Sequence, residues 1–217
     1  MAAATRCLLV CLPLVLAACG TPPRPNIHTL LAAPSPAAAS ATGDFAVQTM
    51  PINLPAQVDQ PYLMLRTGGG ALTPLYGERW AAPLADELQA AFSAALTRRL
   101  GVPDVGGVGV ASGLPTWRVQ TDVQRFELPT QGPAVLDATW RIRQDRGAAL
   151  LCRSVVELAP DGEGVPALVQ AQQQAVARLA DAVALAIEAG GRRPQAVPGV
   201  TLANCSRTEA TAAGAPG

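Results

Sequence analysis

The stretch that decides the fold runs from Trp117 to Leu158. It opens Trp117-Arg-Val-Gln-Thr-Asp-Val-Gln-Arg-Phe126, in which Trp117, Val119, Thr121 and Val123 alternate with Arg118, Gln120 and Asp122. A period of two with one apolar set is the pattern of a half-buried strand. Phe126 falls one position out of phase, which predicts a bulge near Gln124-Arg125. Leu128-Pro-Thr-Gln-Gly-Pro133 makes a turn. The return strand sets Leu136, Ala138, Trp140 and Ile142 against Asp137, Thr139, Arg141 and Arg143. Asp145-Arg146-Gly147 turns the chain again, into Leu150, Cys152, Ser154, Val156 and Leu158. The expectation is a three-strand antiparallel meander with one face sealed and one face open.

Two apolar stripes flank the meander. Trp80, Leu84, Leu88, Phe92, Leu96 and Leu100 recur every four residues, predicting a helix over 78–100 stopped by Gly101 and Pro103, with Asp86, Glu87, Gln89 and Ser93 on its solvated side. Val176, Leu179, Val183 and Ile187 predict a second helix over 165–189, ended by Gly190-Gly191. Upstream, Phe45 to Thr49 and Tyr62 to Arg66 read as strands. Between them Pro51, Pro55 and Pro61 impose an extended path. Gly68-Gly69-Gly70 lacks the Lys-Ser/Thr of a phosphate loop and is read as a plain loop. The fold class is α+β: a largely antiparallel sheet of about five strands with two long helices on one face.

The N-terminus carries an address. Arg6 precedes an apolar run from Cys7 to Ala18, too short to span a bilayer and built like a secretory signal. It ends in Leu16-Ala17-Ala18-Cys19-Gly20, the pattern of a bacterial lipobox, in which the cysteine becomes residue one and carries the lipid. Residues 1–18 are thus read as a signal peptide and Cys19 as the lipidation site. Residues 19–43, rich in Pro and Ala, are read as a tether with a span of roughly 25–30 Å that includes His28 as a solvent-exposed or loosely docked side chain. The folded domain is placed at 44–190 and a flexible tail at 191–217. Cys152 and Cys205 remain as an even pair in an oxidising compartment, which invites a disulfide; the alternative is a Cys152 packed as a small hydrophobe and a free Cys205.

Composition narrows the function classes. The chain has 217 residues with 16 Arg and no Lys against 16 acidic residues, so the formal net charge is zero. A nucleic-acid binder needs a clustered excess of cations, and none is expected here. The one histidine cannot form a His-based metal cluster or triad, and no metal or cofactor is expected. Asp86 and Glu87 are adjacent on a helix and do not face each other. Ser112 lacks the flanking glycines of a nucleophile elbow. No catalytic residue is assigned. Arg118, Arg141 and Arg143 fall on the open strand face, where they either meet phosphates or acidic partner groups or are ordinary solvated charges.

These pieces resemble the ABC-type transport auxiliary lipoprotein family, the group that includes paraquat-inducible protein C. The resemblance rests on Cys19, on Ile27-His28-Thr29-Leu30, and on Met50-Pro-Ile-Asn-Leu-Pro55 leading into Val58-Asp-Gln-Pro61. It continues through Glu78-Arg-Trp-Ala-Ala-Pro-Leu84, Phe126-Glu127 and Leu136-Asp-Ala-Thr-Trp140. His28 and Gln60 depart from the family's usual Tyr and Arg. The resemblance implies a non-enzymatic, periplasm-facing outer-membrane lipoprotein. It implies docking onto an MCE-domain protein anchored in the inner membrane, a conduit for phospholipids, and a homo-oligomeric ring capping it; the alternative is a structural or assembly lipoprotein of the outer membrane with no transport partner. Partner contacts are expected from Pro51, Leu54, Pro55, Asp59 and Pro61 and from Arg118, Arg141 and Arg143.

Overall fold

The computed structural model describes residues 24–33, 44–107, 113–145 and 147–208. The signal peptide, Cys19 and Ser112 lie outside these residues. The meander forms as its alternation requires. Strand β5 (Thr116–Pro129) pairs antiparallel with β6 (Ala134–Gln144), and β6 with β7 (Ala149–Leu158). The β5–β6 register slips between Val123 and Arg125. One extra residue there returns Phe126 and Leu128 to the face that Trp117, Val119 and Val123 bury. Trp140 is fully buried opposite Thr121 and Cys152, and its indole N–H donates to Ser154 Oγ at 2.8 Å, so its one polar atom is satisfied.

Helix α2 (Gly164–Glu188) covers this face with Val176, Leu179, Val183 and Ile187. Helix α1 (Leu84–Leu100) packs against α2 and joins the same core through Leu84, Leu88, Phe92 and Leu96. It ends at Gly101, whose positive φ of 66° a Cβ would disfavour and whose N–H closes on Thr97 O at 2.8 Å. The expected start at Glu78 is corrected to Leu84. Pro83 sits at the N-cap with extended ψ, and the chain before it belongs to a strand. Trp80 shares the helix's four-residue spacing by coincidence and reaches the core from that strand, edge-on to Phe126.

That strand is β4 (Leu72–Trp80), antiparallel to β3 (Tyr62–Arg66) around the turn Gly68–Gly70. Pro74 and Gly77 interrupt its alternation, which hides it from periodicity. Among the described residues the sheet has eight strands, in the order β1 (Asn26–His28)-β4-β3-β5-β6-β7-β8 (Val200–Thr208), with β2 (Ala46–Thr49) also on β5. The class and the two helices agree with expectation. The strand count is eight instead of about five, and three pairings are parallel: β1 with β4, β2 with β5, and β3 with β5. Strands β2 and β3 share one edge of β5 in tandem, at Thr116–Val119 and Leu128–Pro129.

Both ends of the domain extend beyond 44–190. Strand β1 (Asn26–His28) lies inside the stretch read as tether, and Leu30 beside it is 1% exposed. Strand β8 (Val200–Thr208) lies inside the stretch read as tail and pairs with β7. A disulfide joins Cys152 to Cys205 across these two strands. The β7–β8 register slips at Cys152/Arg153, and Asn204 holds a positive φ of 52°.

Candidate functional site

Carboxylates hold the N-terminal segment in place. Glu78 on β4 accepts from Asn26 Nδ2 at 2.9 Å and meets His28 Nε2 at 2.5 Å, so His28 is partly buried and paired instead of exposed. These two hydrogen bonds, His28 first, hold the Glu78 carboxyl below the usual range. Glu87 accepts from Thr29 Oγ1 at 2.7 Å and from Leu30 N at 2.8 Å. It is 5% exposed, so the solvated-face reading holds for Asp86 and is corrected for Glu87. Gln173 of α2 donates to Thr29 O, and Ala81 N to His28 O.

A second carboxylate sits where β2 meets α1. Asp104 accepts from Thr49 N at 3.1 Å, Thr49 Oγ1, Ser93 Oγ at 2.5 Å and Gly106 N at 2.8 Å. Gln89 donates to Thr49 Oγ1 at 2.8 Å. Pro51, Ile52 and Asp86 line the same cleft, of about 530 Å³. A Ser–Asp contact in a cleft invites a catalytic reading, but Ser93 is one of four donors gathered on this carboxylate, with Thr49 N, Thr49 Oγ1 and Gly106 N, and no histidine stands beside them. The work of Asp104 is to hold β2 on α1. Among the described residues no three His, Cys, Asp or Glu side chains converge as metal ligands.

The open face of the meander is different. Arg118 and Arg143 are direct cross-strand partners, and Arg141 stands opposite Gln120, two residues along. Like charges placed opposite each other destabilise a sheet. Arg118 Nε donates to Gln48 Oε1 at 3.1 Å, and the only carboxylate sharing its small cleft is Asp145. Among the described residues no ion pair involves Arg118, Arg141 or Arg143. Further along the same sheet the arginines are matched. Arg153 forks onto Asp137, which is 1% exposed, at 2.8 and 2.6 Å. Arg125 forks onto Glu127, which also forms an ion pair with Arg66, Nε to Oε1 2.9 Å, without an aligned hydrogen bond. Asp122 accepts from Asn53 Nδ2.

The residues of 50–61 do not form one surface with that trio. Met50 N donates to Val119 O and Val123 N to Asn53 O, so the segment stitches β5's edge between β2 and β3. Pro51 borders the Asp104 cleft, Leu54 packs on the core, and Pro55 O closes a turn onto Val58 and Asp59. Asp59 and Pro61 line a separate groove of about 450 Å³ with Ile27, Arg79, Trp80 and Pro83. Beside it Tyr62 packs edge-on to Tyr76 with ring centres 5.1 Å apart, and Arg79 lies over the Tyr62 ring at 5.1 Å. Sequence reasoning missed Glu78, Glu87 and Asp104 as organising groups. Each bonds partners 50 or more positions away, apart from Asp104's contacts with Ser93 and Gly106, and no local pattern marks them.

Among the described residues no helix is long and apolar enough to cross a membrane. No curated protein matches the chain. Two crystal structures share the fold. One, of an uncharacterized protein, has a TM-score of 0.64 at 16% identity over 76% of this chain and 99% of that one. The other, a Xanthomonas campestris protein of the DUF330 family, has a TM-score of 0.54 at 18% identity over 76% of this chain and 96% of that one. The family model for the ABC-type transport auxiliary lipoprotein component matches residues 28–184, from the clamped His28 to the last turns of α2. The chain belongs to that family of transport auxiliary lipoproteins.

Proposed function

We propose that this protein is a periplasm-facing outer-membrane lipoprotein, anchored through Cys19. It serves as a non-catalytic accessory of an MCE-type system that moves phospholipids between membranes. The family supports the transport role. The observation that carries the docking surface is the open β5–β6 face, where Arg118 opposes Arg143 and, among the described residues, neither forms an ion pair. A fold gains nothing from that placement. An acidic surface on the inner-membrane-anchored MCE protein would gain charge-assisted hydrogen bonds from it. Arg118 lies ten residues along β5 from Leu128, where β3 joins, a run of about 33 Å along the strand.

The test is co-purification of the lipidated protein with the MCE partner, with Arg118, Arg141 and Arg143 all changed to Ala. Capture of the partner should fall by an order of magnitude and should be salt-sensitive in the wild type. Folding should be unharmed or gain about 0.2–1 kcal/mol from relief of the Arg118–Arg143 opposition. Unchanged capture would remove this face from the interface. Failure of the wild type to capture any MCE protein would remove the transport partner itself.

A further inference from the structure

Ile27, Arg79 and Tyr62 stand in register across β1, β4 and β3, so their side chains share one face at the sheet's edge. Tyr76 joins them by its contact with the Tyr62 ring. Ile27 is 60% exposed and Tyr76 is 70% exposed, the two most exposed large apolar side chains among the described residues. Ile27 and Arg79 line the groove bordered by Pro61 and Ala81, and Tyr76 adjoins them through the Tyr62 ring. An aliphatic side chain, two tyrosines and an arginine are the composition that partitions into the headgroup zone of a bilayer. There an apolar body is buried while hydroxyl and guanidinium stay wet.

Chain length decides what covers this edge. With β1 docked and Leu30 buried, the chain from Cys19 to Arg24 is five Cα–Cα steps, which can span at most about 18 Å. A domain of this size has a radius of gyration of about 15 Å, so such a leash cannot hold the β1 edge far from the membrane. We infer that the face made by Ile27, Tyr62, Tyr76 and Arg79 seats in the headgroup layer of the bilayer that holds the protein's own lipid, as a second point of membrane contact. The inference rests on lipidation of Cys19. One acyl anchor alone leaves a domain free to tumble, whereas a second contact fixes which face points away. With the β1 edge seated, the Arg118 end of β5 is directed toward the periplasm.

The experiment uses the full mature protein, with lipidation of Cys19 first read from its mass, in vesicles of phosphatidylethanolamine and phosphatidylglycerol. Cys152 and Cys205 are bonded, so a single added cysteine takes an environment-sensitive label. Labels at Ile27→Cys and Tyr76→Cys should lose emission when brominated lipids replace ordinary ones, and a label at Thr201→Cys on the opposite sheet edge should not. Equal response at all three sites, or none at any, overturns the inference. A blue shift at position 76 that grows with protein density and ignores bromine would identify a second copy as the occupant and overturns it too. An unlipidated mass overturns the anchor reading before any label is read.

Discussion

The meander and the N-terminal half of the same sheet are held by different physics. From β5 to β8 each strand pairs antiparallel with its neighbour in sequence, one face is apolar, and a disulfide closes the last pair. In the N-terminal half, the β3–β4 hairpin apart, the strand pairings are long-range and parallel, and each parallel strand comes with a carboxylate that binds distant groups. Glu78 and Glu87 hold β1, Asp104 holds β2, and Glu127 takes the arginine at the end of β3. Antiparallel neighbours need little besides a turn and an apolar face. Parallel strands delivered from far along the chain lack a hairpin to fix their register, and here ionised side chains do that work.

The strongest way to break the contrast is to reduce the Cys152–Cys205 bond. It spans 53 residues, and its loss should lower global stability by about 2–4 kcal/mol. The measurement is a shift of the urea midpoint in the fully folded protein, with the N-terminal clamps unaffected by hydrogen exchange at Leu30. A smaller and more local effect is expected from Glu87→Ala. It leaves the Leu30 N–H and Thr29 hydroxyl without their acceptor, at about 1–3 kcal/mol. Hydrogen exchange at 26–30 should accelerate while Trp140 fluorescence holds. Loss of the whole fold would show that the two halves are one cooperative unit. The smallest effect comes from acid. Glu78 titrates below its ordinary value in the folded state, so its contribution is complete above about pH 4.5 and fades as pH falls through its lowered pKa. Exchange at β1 should rise in that window before the meander core responds. A Glu78→Gln variant should lose that pH dependence.

The same contrast explains what could be read in advance. Trp117 to Leu158 announces its strands, its bulge and its buried face through neighbours one or two positions apart. Helix α1 was visible from Leu84 onward, and its false start at Trp80 came from a four-residue spacing that a strand residue met by chance. Strand β1 has three residues and β8 reads Val200-Thr-Leu-Ala-Asn-Cys-Ser-Arg-Thr208, an edge strand too polar to show alternation. Neither can be recognised without the strand it pairs with. Of the candidate surface, Arg118, Arg141 and Arg143 were legible because alternation places them on the open face. Their opposition depends on register across a turn. Pro51 and Asp59 looked adjacent in an extended segment, yet the stitch onto β5 sends them to separate clefts.

The two ends of the sheet carry one more consequence. Strand β1 offers only three residues of free edge, and β8 is kinked by a register slip, with Asn204 in a left-handed conformation and a bonded cysteine beside it. Among the described residues a foreign strand would find a short template on one side and a kinked one on the other, so growth of copies into one another by adding strands is disfavoured at both. A ring made face to face, through side chains, can close without seeding a fibre.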